Sequence, residues 1–185
     1  PPRPAREIAA ALADLGATTA RSLRRAVPHL SIEPGRAISG PAACTLYTVG
    51  TLKTVTAESG AQRRYVSVDG GMSDNARPVL YGADYTAVLA NRRAEGAPVL
   101  SRVVGKHCES GDIVVRDVYL PEDLAPGDVL AVPATGAYCW ALSSNYNWIA
   151  RPPVVAVRAA GEPPHARLIV RGETEEDLFA RDLGA

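Results

Sequence analysis

His107-Cys108-Glu109-Ser110-Gly111 sets a thiol beside a carboxylate, ahead of a glycine that lets the chain turn, in a sequence with only three cysteines. A thiol can give or take a proton and a carboxylate can hold a cation, so the pair is equipped for chemistry at a strand end. A His107–Cys108 nucleophile pair is disfavoured, because neighbours in an extended segment face opposite ways and cannot share a proton. The alternative for Cys108 is a buried structural cysteine, the usual fate of a free thiol.

Three further motifs carry polar chemistry. Glu33-Pro34-Gly35-Arg36 gathers a carboxylate, free backbone N–H groups and a guanidinium in one turn, a set that can hold a phosphate. By itself it reads more simply as a surface turn with a Glu–Arg ion pair. Residues 68–78 run from a strand into small polar residues and end on Arg77-Pro78, with Tyr81-Gly82 following. Arg77 and Tyr81, four apart, could meet a ligand carboxylate if a helical turn carries them; a solvated Arg on an Asx-turn connection stays open. In Thr135-Gly136-Ala137-Tyr138-Cys139-Trp140 the Tyr138 hydroxyl could reach a phosphate or substrate, although a Tyr beside a Trp in a β-domain more often serves core or interface. Trp140 and Trp148 are assigned to packing.

The elements that must position these residues follow from periodicity. Residues 5–26 predict an amphipathic helix, with Ile8, Leu12 and Leu15 on one face and Gly16 as a break. Leu30-Ser31-Ile32-Glu33 alternates and predicts a short strand ending at Pro34-Gly35. From Cys44 onward the chain turns to β, with strands expected over 44–55, 64–69, 86–90, 99–105, 113–119, 128–132, 153–158 and 167–171. Gly and Pro punctuate the turns, and Thr174 with Asp177 starts a last acidic helix through Phe179. Such spacing points to a compact antiparallel sheet or a barrel-like sandwich.

Twenty basic and twenty acidic residues cancel, so no electrostatic footprint for nucleic acid or an anionic membrane is expected. No apolar run reaches the roughly 18 residues of a membrane span, and no secretory signal opens the chain. Cys44, Cys108 and Cys139 suggest a reducing compartment rather than a disulfide framework, and with His29, His107 and His165 they give no metal-ligand spacing. A soluble, cytoplasmic protein without a metal is the expectation. The opening Pro1-Pro2-Arg3, with Met72 the only methionine, reads as a segment cut from a longer polypeptide.

In series, Glu33-Pro34-Gly35-Arg36, residues 65–75 with Arg77-Pro78 and Tyr81-Gly82, Cys108-Glu109-Ser110-Gly111-Asp112 and Gly136-Ala137-Tyr138 resemble the C-terminal half of the diaminopimelate decarboxylases. The order and spacing match from about residue 5 to the C-terminus. This resemblance implies an alanine-racemase-like pyridoxal-phosphate enzyme, in which a (β/α)8 barrel precedes a β-domain. Residues 1–42 would be the last helix and strand of the barrel. Residues 43–185 would be the β-domain, mainly β, an antiparallel sandwich or barrel with a short final helix.

The resemblance also implies roles. Glu33 would partner the pyridine nitrogen, with Pro34, Gly35, Arg36 and Tyr138 around the cofactor. Arg36, Arg77, Tyr81, Glu109 and Tyr138 would bind substrate, Glu109 at its distal end. Cys108 would return a proton to the α-carbon, converting meso-2,6-diaminopimelate to L-lysine and CO2. A homodimer is implied, with Cys108 and Glu109 offered to the partner's site. The family's Schiff-base lysine lies in the barrel half, and neither Lys53 nor Lys106, the lysines present, replaces it, so the chain alone is expected to be inactive. Alternatives are the same fold acting on ornithine, arginine or lysine, and a non-catalytic dimerisation domain.

Overall fold

The structure is a computed structural model that describes residues 3–158 and 165–184. The chain divides into two compact units, Pro1–Pro34 and Gly35–Ala185, which are taken separately.

In the N-terminal unit, helix α1 spans Ala5–Ser22 with Glu7 in its first turn and Arg21 in its last, each matched to the nearby end of the helix dipole. Gly16 does not break it. A Cβ there would lie 3.0 Å from Leu30 Cδ1, so the glycine marks where the returning chain crosses the helix. The helix stops short of residue 26 because Arg24 adopts φ 50°, while Arg25 N–H donates to Ala20 O at 2.9 Å and closes the end. The strand expected at Leu30–Glu33 is not formed. Among its described residues the unit offers it no other strand, and an extended segment needs a ladder partner.

The C-terminal unit opens with α2 (Gly35–Ser39) and a 3-10 turn (Gly40–Ala42). Then come β1 (Cys44–Thr56), β2 (Gln62–Val68), α3 (Arg77–Tyr81), β3 (Val88–Leu89), β4 (Pro98–Val104), β5 (Ile113–Pro121) and β6 (Val129–Pro133). They form one sheet in the order β3-β6-β1-β2-β4-β5, and contacts between β3 and β5 bring its two edges together into a nearly closed barrel. The fold is mainly β and barrel-like, as the sequence indicates. The sheet is mixed rather than wholly antiparallel, since β2 and β4 run parallel through Arg64↔Ser101 to Ser67↔Val104. A parallel pair cannot close with a hairpin, so residues 69–97 must cross over, and this crossover carries α3. A hairpin of β7 (Val154–Arg158) and β8 (His165–Val170) and the helix α4 (Glu175–Phe179) complete the unit. Helix α4 starts in the expected capping box of Thr174 and Asp177.

The barrel is filled mostly by alternate residues of its strands, with Val66, Val103, Val115, Leu120, Leu130 and Val132 buried, and Val114 joins them where the β4–β5 register is irregular. Arg64 enters this interior from β2. Its guanidinium donates to Ser101 Oγ (3.2 Å) and to the carbonyls of Leu120 (3.2 Å), Pro121 (2.8 Å) and Glu122 (3.2 Å), which ties β2 to the end of β5. Burial lowers its pKa, while those acceptors satisfy its donors.

Candidate active site

Two buried carboxylates shape the start of the crossover. Asp74 accepts from Gly71 N–H at 2.7 Å and from the Tyr47 hydroxyl. Burial pushes the Tyr47 phenol up, so it keeps its proton and donates; burial is also the main reason the Asp74 carboxyl is raised. Asp112 accepts from Met72 N–H (2.7 Å), His107 N–H (2.8 Å) and His107 Nδ1 (3.0 Å). It thereby joins the crossover to the turn that carries Cys108. The glycines around it are required by contact: a Cβ at Gly71 would lie 2.5 Å from Asp112 Oδ1, and one at Gly105 would lie 2.2 Å from Asp112 Oδ2.

The helical turn anticipated after the polar loop is α3, closed by Gly82 at φ 60°. It brings Arg77 and Tyr81 onto one face, with the guanidinium 5.4 Å from the Tyr81 ring centroid. The same guanidinium lies 5.4 Å from the Tyr138 ring, contributed from 61 residues further along the chain. Nε of Arg77 is buried and makes no hydrogen bond among the described residues.

Tyr138 is held in a left-handed conformation at φ 69°, which a bulky residue adopts only when its surroundings enforce it. The enforcement is visible on both sides. Thr135 N–H donates to Ala43 O and Gly136 N–H to Gly40 O, both at 3.1 Å, and Leu142 N–H donates to Tyr138 O at 2.8 Å. A Cβ at Gly136 would fall 2.0 Å from Ser39 O, so only glycine allows this docking. The result sets the Tyr138 hydroxyl against Gly35, 2.7 Å from where a Cβ would stand. Arg36, next to Gly35, lies over the Tyr85 ring at 5.9 Å, with Nη1 buried and unpartnered among the described residues. Tyr85 is pushed up by burial first; its hydroxyl meets Cys139 Sγ at 3.5 Å, and that thiol reaches Asn75 Oδ1 at 3.3 Å.

The third motif is a bend rather than the extended segment expected; in it His107 is buried and Cys108 exposed, and no hydrogen bond joins the two side chains among the described residues. Glu109 is exposed and accepts from the Tyr146 hydroxyl, whose ring stacks on His107 with centroids 5.6 Å apart. At the base of the turn a Cβ on Gly111 would sit 3.4 Å from Val79 of α3. Within one chain, neither Cys108 nor Glu109 forms a hydrogen bond with Arg77, Tyr81 or Tyr138 among the described residues.

Gly35, Arg77, Tyr81 and Tyr138 are therefore gathered, Arg36 adjoins Gly35, and Cys108 and Glu109 lie on an exposed turn whose base borders α3. Glu33 and Pro34 are exposed at the end of the N-terminal unit. Sequence reading passed over Asp112, Asp74, Tyr85 and Tyr146, which hold the named residues in place. The glycines at 70, 71 and 105 were the available signal, since they crowd the strand ends where those carboxylates dock. Among the described residues no cluster of three or more His, Cys, Asp or Glu could hold a metal, and no helix is long and apolar enough to cross a membrane.

The barrel-like sheet and its crossover match a described family. Residues 38–136, more than half of the chain, fit the model "Pyridoxal-dependent decarboxylase, C-terminal sheet domain". The chain belongs to that family. It is 52% identical over 182 residues to a diaminopimelate decarboxylase of Mycobacterium tuberculosis, covering 98% of this chain and 40% of that protein. Two crystal structures resemble it as well. The diaminopimelate decarboxylase of M. jannaschii in co-complex with L-lysine has TM-score 0.74 and 30% identity, covering 91% of this chain and 36% of that one. The Helicobacter pylori enzyme complexed with L-lysine has TM-score 0.70 and 31% identity, covering 90% and 38%. The chain thus spans about 40% of the length of its curated relative.

Proposed function

We propose that this chain is the C-terminal part of a diaminopimelate decarboxylase, which removes CO2 from meso-2,6-diaminopimelate and leaves L-lysine. The observation that carries the reading is Arg77, flanked by the Tyr81 and Tyr138 rings with its Nε buried and unpartnered among the described residues. A guanidinium so placed is a ready carboxylate site. The relatives named above support the substrate, two of them being complexed with lysine.

The residues present fit pyridoxal phosphate. Arg36 and Arg77 each hold a buried donor with unused capacity, and Gly35 leaves open backbone beside the Tyr138 phenol. Glu33, Pro34, Gly35, Arg36 and Tyr138 would hold the group, Gly35 and Arg36 at its phosphate and Glu33 at its ring nitrogen. When bound, the cofactor supplies a sink for the electron pair left as CO2 departs. Arg36, Arg77, Tyr81 and Tyr138 bind the substrate near its reacting end, and Glu109 holds the distal ammonium. Cys108 breaks its S–H bond to place a proton on the α-carbon and is reprotonated from solvent.

Cys108 and Glu109 act in the partner's site of a homodimer in the cytoplasm. The exposure of both residues, with no hydrogen bond to Arg77, Tyr81 or Tyr138 of the same chain among the described residues, supports that arrangement. Residues 1–42 belong to the barrel and 43–185 to the β-domain, and the covalent lysine comes from the barrel half.

The test is product analysis with the full-length, barrel-containing protein. Lysine and CO2 are expected from meso-diaminopimelate, with ornithine and arginine turned over poorly. Comparable kcat/KM on ornithine or arginine would overturn the assignment.

A further inference from the structure

Tyr146 sits in a turn whose backbone is strained. Asn147 and Trp148 both adopt left-handed angles, φ 55° and 57°, which tryptophan does not choose freely. The turn is fastened at both ends. Asn145 Nδ2 donates to Ile149 O at 3.2 Å and to Glu173 Oε2 at 2.5 Å, and the Trp148 ring stacks on Phe179 at 5.3 Å. This fastening directs the Tyr146 ring onto His107 and its hydroxyl onto Glu109 Oε1. His107 is itself fixed by Asp112. The exposed Glu109 is thus gripped at one oxygen, while Oε2 accepts no hydrogen bond among the described residues. The bond to Glu109 also raises the Tyr146 pKa, which keeps the donor proton in place.

We infer that Tyr146 is a positioning residue for Glu109: it fixes one carboxylate oxygen so that the other is presented to the cationic distal end of the substrate. The inference rests on the assignment of Glu109 as the distal contact. A free glutamate must order its side chain when the ligand arrives, whereas this one is already ordered. The benefit falls equally on bound substrate and transition state, so it belongs in KM and not in kcat.

The experiment uses the full-length, cofactor-loaded protein with Tyr146→Phe, Tyr146→Ala, Glu109→Gln and the Tyr146→Phe/Glu109→Gln double variant. A second readout on the same protein, without substrate, is the iodoacetamide alkylation rate of Cys108, followed by peptide mass spectrometry. Tyr146→Phe should raise KM for meso-diaminopimelate by about two- to tenfold with little change in kcat. It should add nothing in the Glu109→Gln background, and Cys108 alkylation should stay at the wild-type rate. Tyr146→Ala, which also loses the stack on His107, should alkylate faster. An unchanged KM in Tyr146→Phe, or the same rise when Glu109 is already glutamine, overturns the inference. So does a fall in kcat with faster alkylation, the mark of a purely structural role. If Glu109→Gln itself leaves KM unchanged, the Glu109 assignment fails and this inference with it; if that variant raises KM and Tyr146→Phe does not, the inference alone fails.

Discussion

The guanidinium of Arg77 lies 5.4 Å from the ring centroid of Tyr138, a residue held at φ 69° by a segment docked on Ser39 and Gly40. Three parts of the chain are committed to this one contact: the crossover after β2, the turn after β6, and the α2 segment. A strained tyrosine maintained at such cost is the pattern of a preorganised site.

Replacing Arg77 should therefore weaken carboxylate binding and spare the fold. In the full-length protein, Arg77→Ala is expected to raise the dissociation constant for lysine by about 10- to 100-fold, the worth of a hydrogen bond to a charged group. Arg77→Lys should recover little of this, since an ammonium cannot reproduce the planar fork between two rings. Calorimetric titration with lysine checks both.

Asp112→Asn should loosen the Cys108 turn. One carboxylate accepts three N–H groups here, and an amide offers a single acceptor oxygen while bringing two donors of its own. A loss of about 1–3 kcal/mol in chemical denaturation is expected, with faster alkylation of Cys108.

Acid stability should depend on Arg92 and Asp128. The Arg92 guanidinium, 2.8 Å away, holds the Asp128 carboxyl well below the usual carboxylate range. A pKa depressed on folding gives stability that is present above the unfolded value, roughly 4, and is lost as pH falls through the folded one. Arg92→Met should thus be most destabilised above about pH 5, and the gap to wild type should narrow on acidification. Urea midpoints measured across that range test the sign.

The strands were legible because half-buried β-structure alternates: the Gln62–Val68 strand buries Arg64, Val66 and Val68 in turn. The α4 capping box and the Arg77–Tyr81 turn were legible for the same local reason. The Leu30–Glu33 strand failed because alternation cannot reveal whether a ladder partner exists. The parallel pairing of β2 with β4 was hidden too, since it depends on how a long crossover returns and not on either strand's composition. In the site, residue type left Arg77 and Tyr81 open between a ligand contact and a solvated turn and favoured packing for Tyr138; the family resemblance named them. Asp112 could not be named, because a buried carboxylate and an exposed one look alike in sequence, nor could Tyr146, whose partners His107 and Glu109 lie 37 or more residues away.

The most direct measurement is complementation between two impaired variants of the full-length protein, Arg77→Ala and Cys108→Ala, mixed, reassembled and assayed at substrate too dilute for the Arg77→Ala variant to turn over alone. If each site takes Arg77 from one copy and Cys108 from the other, half the dimers are mixed and each has one intact site, so about a quarter of wild-type lysine formation should return. No recovery after demonstrated subunit exchange would contradict a shared site in which Cys108 serves the partner's substrate.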